Sequence, residues 1–312
     1  MNMTPRIVVV GSLNMDLVTR TPRIPMPGET IIGHEFFTAP GGKGANQAVA
    51  AARLGGHVTM IGRVGQDDFG KAMRQTLTRD GVDCTYVFSD EKARTGIASI
   101  LVDDAGQNSI VVAPGANARL DPDDIDRAQQ AIASADVLLL QLEIPLETVI
   151  HAAEVARANG VTVVLNPAPA RSDLESLLPL VDFIIPNESE TALLTGLSVE
   201  TEEEAIAATH ALRKQGVDRI ILTLGARGAL LAQPENAQRI PAFPIQPVDT
   251  TAAGDAFVGG FAVALAEKRP LPEAVRWGNA AGGLAATRLG AQPSLPTRQE
   301  VLDMLASQGE SQ

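Results

Sequence analysis

Short apolar runs, separated by stretches long enough for a helix, set the rhythm of this chain. Ile7–Val10 is such a run, closed by Gly11 and Ser12, and it reads as a buried strand. Val58–Ile61, Val137–Leu140, Val161–Leu165, Phe183–Ile185 and Arg219–Thr223 read the same way. Between them lie helical patterns. Ala45–Leu54 is a small-residue helix ended by two glycines, and Phe69–Asp80 repeats Phe69, Met73 and Leu77 at i, i+4, i+8. Further helices are predicted near 123–134, 147–159, 201–215, 254–267 and 272–287, with a last one at about 298–306. Continuous apolar strands alternating with helices predict an α/β fold with a mainly parallel sheet covered on both faces.

Two regions break that rhythm. Pro22, Pro25, Pro27 and Pro40 surround the β-prone stretch Glu29–Phe37, and Thr95–Val102 and Ser109–Val112 read as a hairpin turning at 103–106. Together, about 14–40 and 95–113 predict a small β-sheet projecting from a single domain that spans 1–312, with the α/β core formed by the remainder. Only Ser307–Gln312 reads as disordered.

Composition narrows the class. With 45% apolar but only 3% aromatic residues, the core must rest on Ala, Val, Leu and Ile. A net charge of −12 argues against nucleic acid, whose phosphates demand a basic face. Cys84 is the only cysteine, so neither an intrachain disulfide nor a cysteine-based zinc site is available. The four histidines are scattered without ligand spacing. With no signal-peptide pattern and no apolar run long enough for a bilayer, a cytoplasmic protein without membrane contact is expected.

Polar residues fall where strands end, which is where open α/β sheets bind ligands. They are Asn14 and Asp16, Glu143, Asn166, Asn187, and Thr223 with Gly225. The most informative segment is Asp249-Thr250-Thr251-Ala252-Ala253-Gly254-Asp255, placed directly before an apolar helix. Small residues there leave amide N–H groups free at a helix start, an anion site. An acid at such a place makes sense if it takes a proton from a hydroxyl while the amides hold the phosphate under attack. An ordinary aspartate cap is the plainer alternative.

Gly41-Gly42-Lys43-Gly44-Ala45-Asn46 combines close backbone approach with two donors, and lacks the spacing of a Walker A loop. Asn187-Glu188-Ser189-Glu190 suits either a helix cap or the surroundings of a hydrated Mg²⁺. Thr223-Leu224-Gly225-Ala226-Arg227-Gly228 suits a phosphate cradle or a plain turn between strands. The irregular 287–294 segment could offer carbonyls to a cation with Asp249 supplying charge, or could be a glycine cap with a proline stop.

In this order and at these intervals, the segments resemble the ribokinase (PfkB) family of sugar kinases over nearly the whole chain. The match rests on Gly11–Asp16, Pro27–Thr30, Gly41–Ala48, Asn166–Ala170, Pro186–Glu190 and Val248–Asp255. The resemblance implies transfer of the γ-phosphoryl of ATP to the 5-hydroxyl of D-ribose. It implies Asp255 as base and the amides of Ala252, Ala253 and Gly254 as anion hole. Asn14, Asp16, Gly42, Lys43, Asn46 and Glu143 would hold the sugar, together with Asp255. Asn187, Thr223, Gly225, Ala226, Arg227, Gly228, Gly254 and Asn279 would line the nucleotide site, with Glu190 near Mg²⁺. A potassium ion would take Asp249, Ser294 and the carbonyls of Thr251, Ala285, Arg288 and Gly290. The small sheet would be a lid over the sugar and the contact of a homodimer.

Thr251 stands where the family more often has an aliphatic residue, and Asn279 where histidine would flank adenine. The rival readings are the same fold acting on another sugar, such as 2-deoxyribose or fructose, and a non-catalytic sugar-binding regulator. A dinucleotide-dependent dehydrogenase is disfavoured, because Gly11-Ser12-Leu13-Asn14 lacks the required glycine spacing.

Overall fold

A computed structural model describes residues 4–307. Apart from Ser307, the tail expected to be disordered lies outside the described residues. In chain order the strands are β1 (Arg6–Val10), β2 (Asn14–Thr21), β3 (Glu35–Gly41), β4 (His57–Gly65), β5 (Asp83–Asp90), β6 (Gly96–Asp103) and β7 (Asn108–Ala113). They continue as β8 (Val137–Leu140), β9 (Thr162–Leu165), β10 (Phe183–Ile184), β11 (Arg219–Thr223), β12 (Ala229–Ala232) and β13 (Ala237–Ile240). The helices are α1 (Lys43–Arg53), α2 (Asp68–Arg79), α3 (Pro122–Arg127), α4 (Gln129–Ala133), α5 (Leu146–Ala158), α6 (Glu188–Thr195), α7 (Glu202–Lys214), α8 (Ala253–Ala266), α9 (Leu271–Ala286) and α10 (Arg298–Ala306).

Among the described residues the large sheet has nine strands, in the order β13-β12-β11-β10-β9-β8-β1-β4-β5. It is parallel from β5 to β11 and antiparallel at β12 and β13. Alternation along β1 divides the core: Ile7 and Val9 pack with α1, α2, α8 and α9, and Val8 and Val10 with α5 and α7 on the other face. The α/β expectation holds, and burial on both faces explains why these strands read as unbroken apolar runs.

The small sheet has the order β3-β2-β6-β7. The hairpin expected near 95–113 is present as β6 and β7. The small sheet begins at Asn14 as expected: Asn14 and Asp16 are among the first residues of strand β2, which pairs in parallel with β6. One expectation needs correction. The β-prone stretch at Glu29–Phe37 is displaced: strand β3 begins at Glu35, because its partners along β2 are Asn14 to Arg20. Pairing across the sheet, not local propensity, sets those ends.

The predicted helix at 123–134 is two short helices that meet at Ala128. Strands β5, β12 and β13 have no forecast in the sequence pattern. β5 and β13 lie at the edges of the sheet, where burial is incomplete and the apolar signal weak.

Ion pairs fasten the return from the small sheet to the core. Arg63 bridges Asp90 and the fully buried Asp124, and Arg119 donates to Asp90 at 2.7 Å. Asp67, the cap of α2, accepts the Thr95 amide at 2.8 Å just before β6. The β6–β7 hairpin is therefore anchored where it leaves and re-enters the body.

Candidate active site

Helix α8 starts after Ala252, a non-glycine residue with φ of 58°. Left-handed backbone strains a residue with a Cβ, and such strain collects at functional sites. Here it turns the chain so that the Ala252, Gly254 and Asp255 N–H groups meet no acceptor among the described residues. The expected set was Ala252, Ala253 and Gly254, but the Ala253 N–H donates to the Thr250 carbonyl at 3.1 Å and closes the turn. The structure thus offers Ala252, Gly254 and Asp255 as free donors. Nothing lies within 4 Å of where a Gly254 Cβ would stand, so the backbone there is open on its side-chain side.

Asp255 is 7% exposed. Its Oδ2 accepts from Asn46 Nδ2 at 2.9 Å and its Oδ1 from Gln47 Nε2 at 3.0 Å. Burial pushes its pKa up, while Lys43, Asn46 and Gln47 pull it back. Burial also works against the charge of Lys43, yet Asp255, Glu143 and Glu190 outweigh it and keep the ammonium protonated.

The glycine run before α1 makes this meeting possible. Gly42 has φ of 89°, and a Cβ there would lie 2.7 Å from the Asn14 amide nitrogen. Helix α1 therefore begins against the β1–β2 turn, at Lys43 and not at Ala45 as the apolar pattern suggests.

Glu143 gathers the opposite wall. Its Oε2 accepts from the Ser12 hydroxyl, from the Lys43 amide at 3.1 Å and from Asn14 Nδ2 at 3.5 Å. Asn117 clamps the turn from behind, exchanging two bonds with the Leu13 backbone and donating to Asn14 Oδ1 at 2.8 Å. The Asn14 amide is thereby oriented with its N–H side towards Glu143. Asp16 accepts no hydrogen bond from the described residues, and burial plus the charges of Glu143 and Asp255 raise its pKa to about 7. An unpartnered carboxyl on a buried wall is suited to bond sugar hydroxyls.

A cavity of about 210 Å³ adjoins Asp255, lined by Lys43, Asn166, Asn187, Glu190, Thr223, Ala252 and Gly254 among others. The sequence-predicted nucleotide residues divide here. Asn187, Thr223 and Gly254 line the cavity, whereas Gly225, Ala226, Arg227, Gly228 and Asn279 do not. Gly225–Arg227 is a single 3₁₀ turn joining β11 to β12. The Arg227 guanidinium is committed to Glu188 and to the carbonyls of Val199 and Glu200. Asn279 Nδ2 donates to the carbonyls of Ile240 and Pro241, both at 3.1 Å. Asn187 and Glu190 form a reciprocal cap on α6, as the capping alternative holds, while still facing the cavity.

Of the expected cation residues, the structure joins Asp249 to Thr251 and Gly290 directly. Its Oδ1 takes the Thr251 amide and hydroxyl, its Oδ2 takes the Gly290 amide at 2.9 Å, and these donors hold its pKa down against burial. The Thr251, Arg288 and Gly290 carbonyls receive no donor from the described residues, whereas the Ala285 carbonyl accepts from Arg288 and Ser294 Oγ donates to Ala291.

Ser12, Gln47, Asn117 and Gln141 complete the site, and none of them was singled out from the sequence. A glutamine on the buried face of an alanine-rich helix was a legible signal for Gln47. Asn117 has none, since its role arises only from the return of the chain after β7.

A family model for the pfkB family carbohydrate kinases matches residues 4–298. The chain is 45% identical to a ribokinase of Haemophilus influenzae, over 97% of this chain and 99% of that protein. It is 39% identical to a deoxyribokinase of Salmonella typhi, over 96% and 98%. Its structure superposes on a ribokinase of Arabidopsis thaliana solved with ribose and ATP, with a TM-score of 0.90 and 37% identity, covering 97% of this chain and 99% of that one. With the buried acid, the free amides and these relatives taken together, the chain belongs to the pfkB family of carbohydrate kinases.

Proposed function

We propose that this protein transfers the γ-phosphoryl group of ATP to the 5-hydroxyl of D-ribose. One observation carries the chemistry: Asp255 is buried beside free amides at a left-handed helix start, with Lys43 alongside. The ribokinase relatives, and the plant ribokinase solved with ribose and ATP, support the choice of substrates.

In this reading Asn14, Asp16, Gly42, Lys43, Asn46 and Glu143 hold the sugar with its 5-hydroxyl at Asp255. The hydroxyl oxygen forms a bond to the γ-phosphorus while the bond from that phosphorus to the bridging oxygen of ADP breaks. The hydroxyl proton passes to Asp255, and the amides of Ala252, Gly254 and Asp255 receive the phosphate oxygens. Thr223 and Asn187 face the nucleotide side of the cavity. Closure of the small sheet over the sugar would keep water from taking the phosphoryl group.

Glu190, inward-facing and with one lone pair on each oxygen left by its cap, fits a hydrated Mg²⁺ held through water. Bound there, Mg²⁺ supplies charge neutralisation for the triphosphate. Asp249 with the Thr251, Arg288 and Gly290 carbonyls fits a potassium ion, which supplies fixed charge behind the anion hole. Ser294 Oγ donates its proton to the Ala291 carbonyl and the Ala285 carbonyl accepts one bond from Arg288, which leaves each oxygen a lone pair for the cation. The exposed apolar residues Phe36 and Val111, which the pairing register puts on the face of the small sheet opposite Asn14 and Asp16, favour a homodimer through that face.

A second reading has a specific support: the deoxyribokinase relative covers nearly the same length. A coupled kinase assay over ribose, 2-deoxyribose and fructose, run in potassium and in lithium, separates them. Ribose preference and a potassium-dependent rate are expected. No phosphorylation of any sugar would overturn the function, and equal rates in both salts would remove the potassium site.

A further inference from the structure

Behind the base lies a chain of buried amides that the proposed reaction does not use. Gln47 and Gln141 are both 0% exposed. Gln47 Nε2 donates to Asp255 Oδ1 at 3.0 Å and to Asn166 Oδ1 at 3.2 Å, while Gln47 Oε1 accepts from Gln141 Nε2 at 2.7 Å. Asn166 in turn donates to the Ile185 carbonyl at 3.0 Å. One network therefore joins the end of β8, helix α1, the end of β9 and the start of α8.

The network fixes the sense of the Gln47 amide. Rotating that amide by half a turn would set its oxygen against the Asp255 carboxylate and its NH₂ against that of Gln141. Gln141 Nε2 thus satisfies the Gln47 oxygen and adds to the hold of Asp255 and Asn166 on that amide, while its own Oε1 has no partner among the described residues. The other donor to Asp255, Asn46, belongs to the proposed sugar-binding set, and its Oδ1 is buried without a partner among the described residues. Gln47 has no such second role.

We propose that Gln47, held by Gln141, is a positioning residue that keeps the buried Asp255 ionised and aimed at the substrate hydroxyl. A carboxyl this deeply buried tends to take its proton from solvent, and a protonated acid cannot receive one from a sugar. A hydrogen bond from a neutral amide favours the carboxylate without adding a cation that would compete for the phosphate. This inference rests on the reading of Asp255 as the base.

The test is the pH profile of kcat for the parent, Gln47→Leu and Gln141→Met, with saturating ribose and ATP. Loss of the Gln47 donor should raise the acid limb of kcat by about 1–2 pH units, with the ribose KM little changed. Gln141→Met leaves the Asp255 contact in place and should shift the limb the same way by a smaller amount. Adding Gln47→Leu to Asp255→Asn should cost nothing more in kcat, because the two act as one unit. An acid limb unmoved in a folded Gln47→Leu protein overturns the proposal. If that variant fails to fold, an unmoved limb in Gln141→Met overturns it equally. An inactive parent would instead defeat the kinase reading, and a fully active Asp255→Asn would defeat the assignment of the base.

Discussion

The two sides of the cleft are built differently. On the sugar side, Ser12, Asn14, Lys43, Asn46, Glu143 and Asp255 are drawn into one network by the N-terminal turn of α1. On the side proposed for the nucleotide, polar groups mostly satisfy one another: Asn187 and Glu190 cap α6, while Arg227 and Asn279, outside the cavity lining, bind Glu188 and backbone. The sugar side is arranged around groups that await a partner, above all Asp16 and the Asn46 carbonyl oxygen. Preorganisation of that kind lowers a barrier only if it is aimed at the reacting atoms. Specificity and proton transfer should therefore sit on the sugar side, and changes on the nucleotide side should be milder.

The strongest break in that comparison is Asp255→Asn. The amide keeps the size of the acid but cannot accept the proton, so kcat should fall by about 10²–10⁴-fold. Calorimetry should find ribose binding largely retained. Half of the parental kcat in this variant would move the base elsewhere.

Next in size is the sugar's 2-hydroxyl. A site built to bond it leaves partners unsatisfied when it is missing, at roughly tenfold to a hundredfold in kcat/KM. Ribose should exceed 2-deoxyribose by that factor, and Asn14→Ala should narrow the gap. Equal kcat/KM for the two sugars in the parent would favour a broader pentose kinase.

Asp16 gives the comparison a pH signature. Its folded pKa is raised to about 7, so below that value the carboxyl carries a proton and one of its oxygens turns from acceptor to donor, which weakens its hold on a sugar hydroxyl. The ribose KM should climb as pH falls through about 7, by up to about tenfold per unit. Asp16→Asn should flatten this dependence. A KM that stays level from pH 8 to pH 5 in the parent would exclude Asp16 from sugar binding.

The smallest effect is expected at Arg227. Its guanidinium is partly exposed and already paired, so Arg227→Gln should change kcat/KM for ATP by no more than about fivefold. A larger loss, measured by ATP titration at saturating ribose, would bring the 225–228 turn back into the nucleotide site.

Much of the scaffold was legible because buried parallel strands print themselves as apolar runs, as Val137–Leu140 does without a shift of register. Strand β2 was not, since Asn14-Met15-Asp16 is polar for reasons of chemistry, and only its pairing with β3 and β6 makes it a strand. Within the site, Asp255 and the glycine run declare themselves locally. Gln141 and Asn117 do not, because each gains its role from a contact about a hundred residues away in the chain. Capping explains the remaining ambiguity at Asn187 and Glu190. The same short polar side chains that end a helix neatly also suit a phosphate or a hydrated cation.

The most direct measurement is a proton-coupled phosphorus NMR spectrum of the protein with ATP, Mg²⁺, potassium and ribose. A hydroxyl at C5 poised on Asp255 should give ADP and one phosphomonoester split by the two hydrogens of that carbon. Unchanged ATP, or a product split by a single anomeric hydrogen, would contradict the placing of the 5-hydroxyl at Asp255.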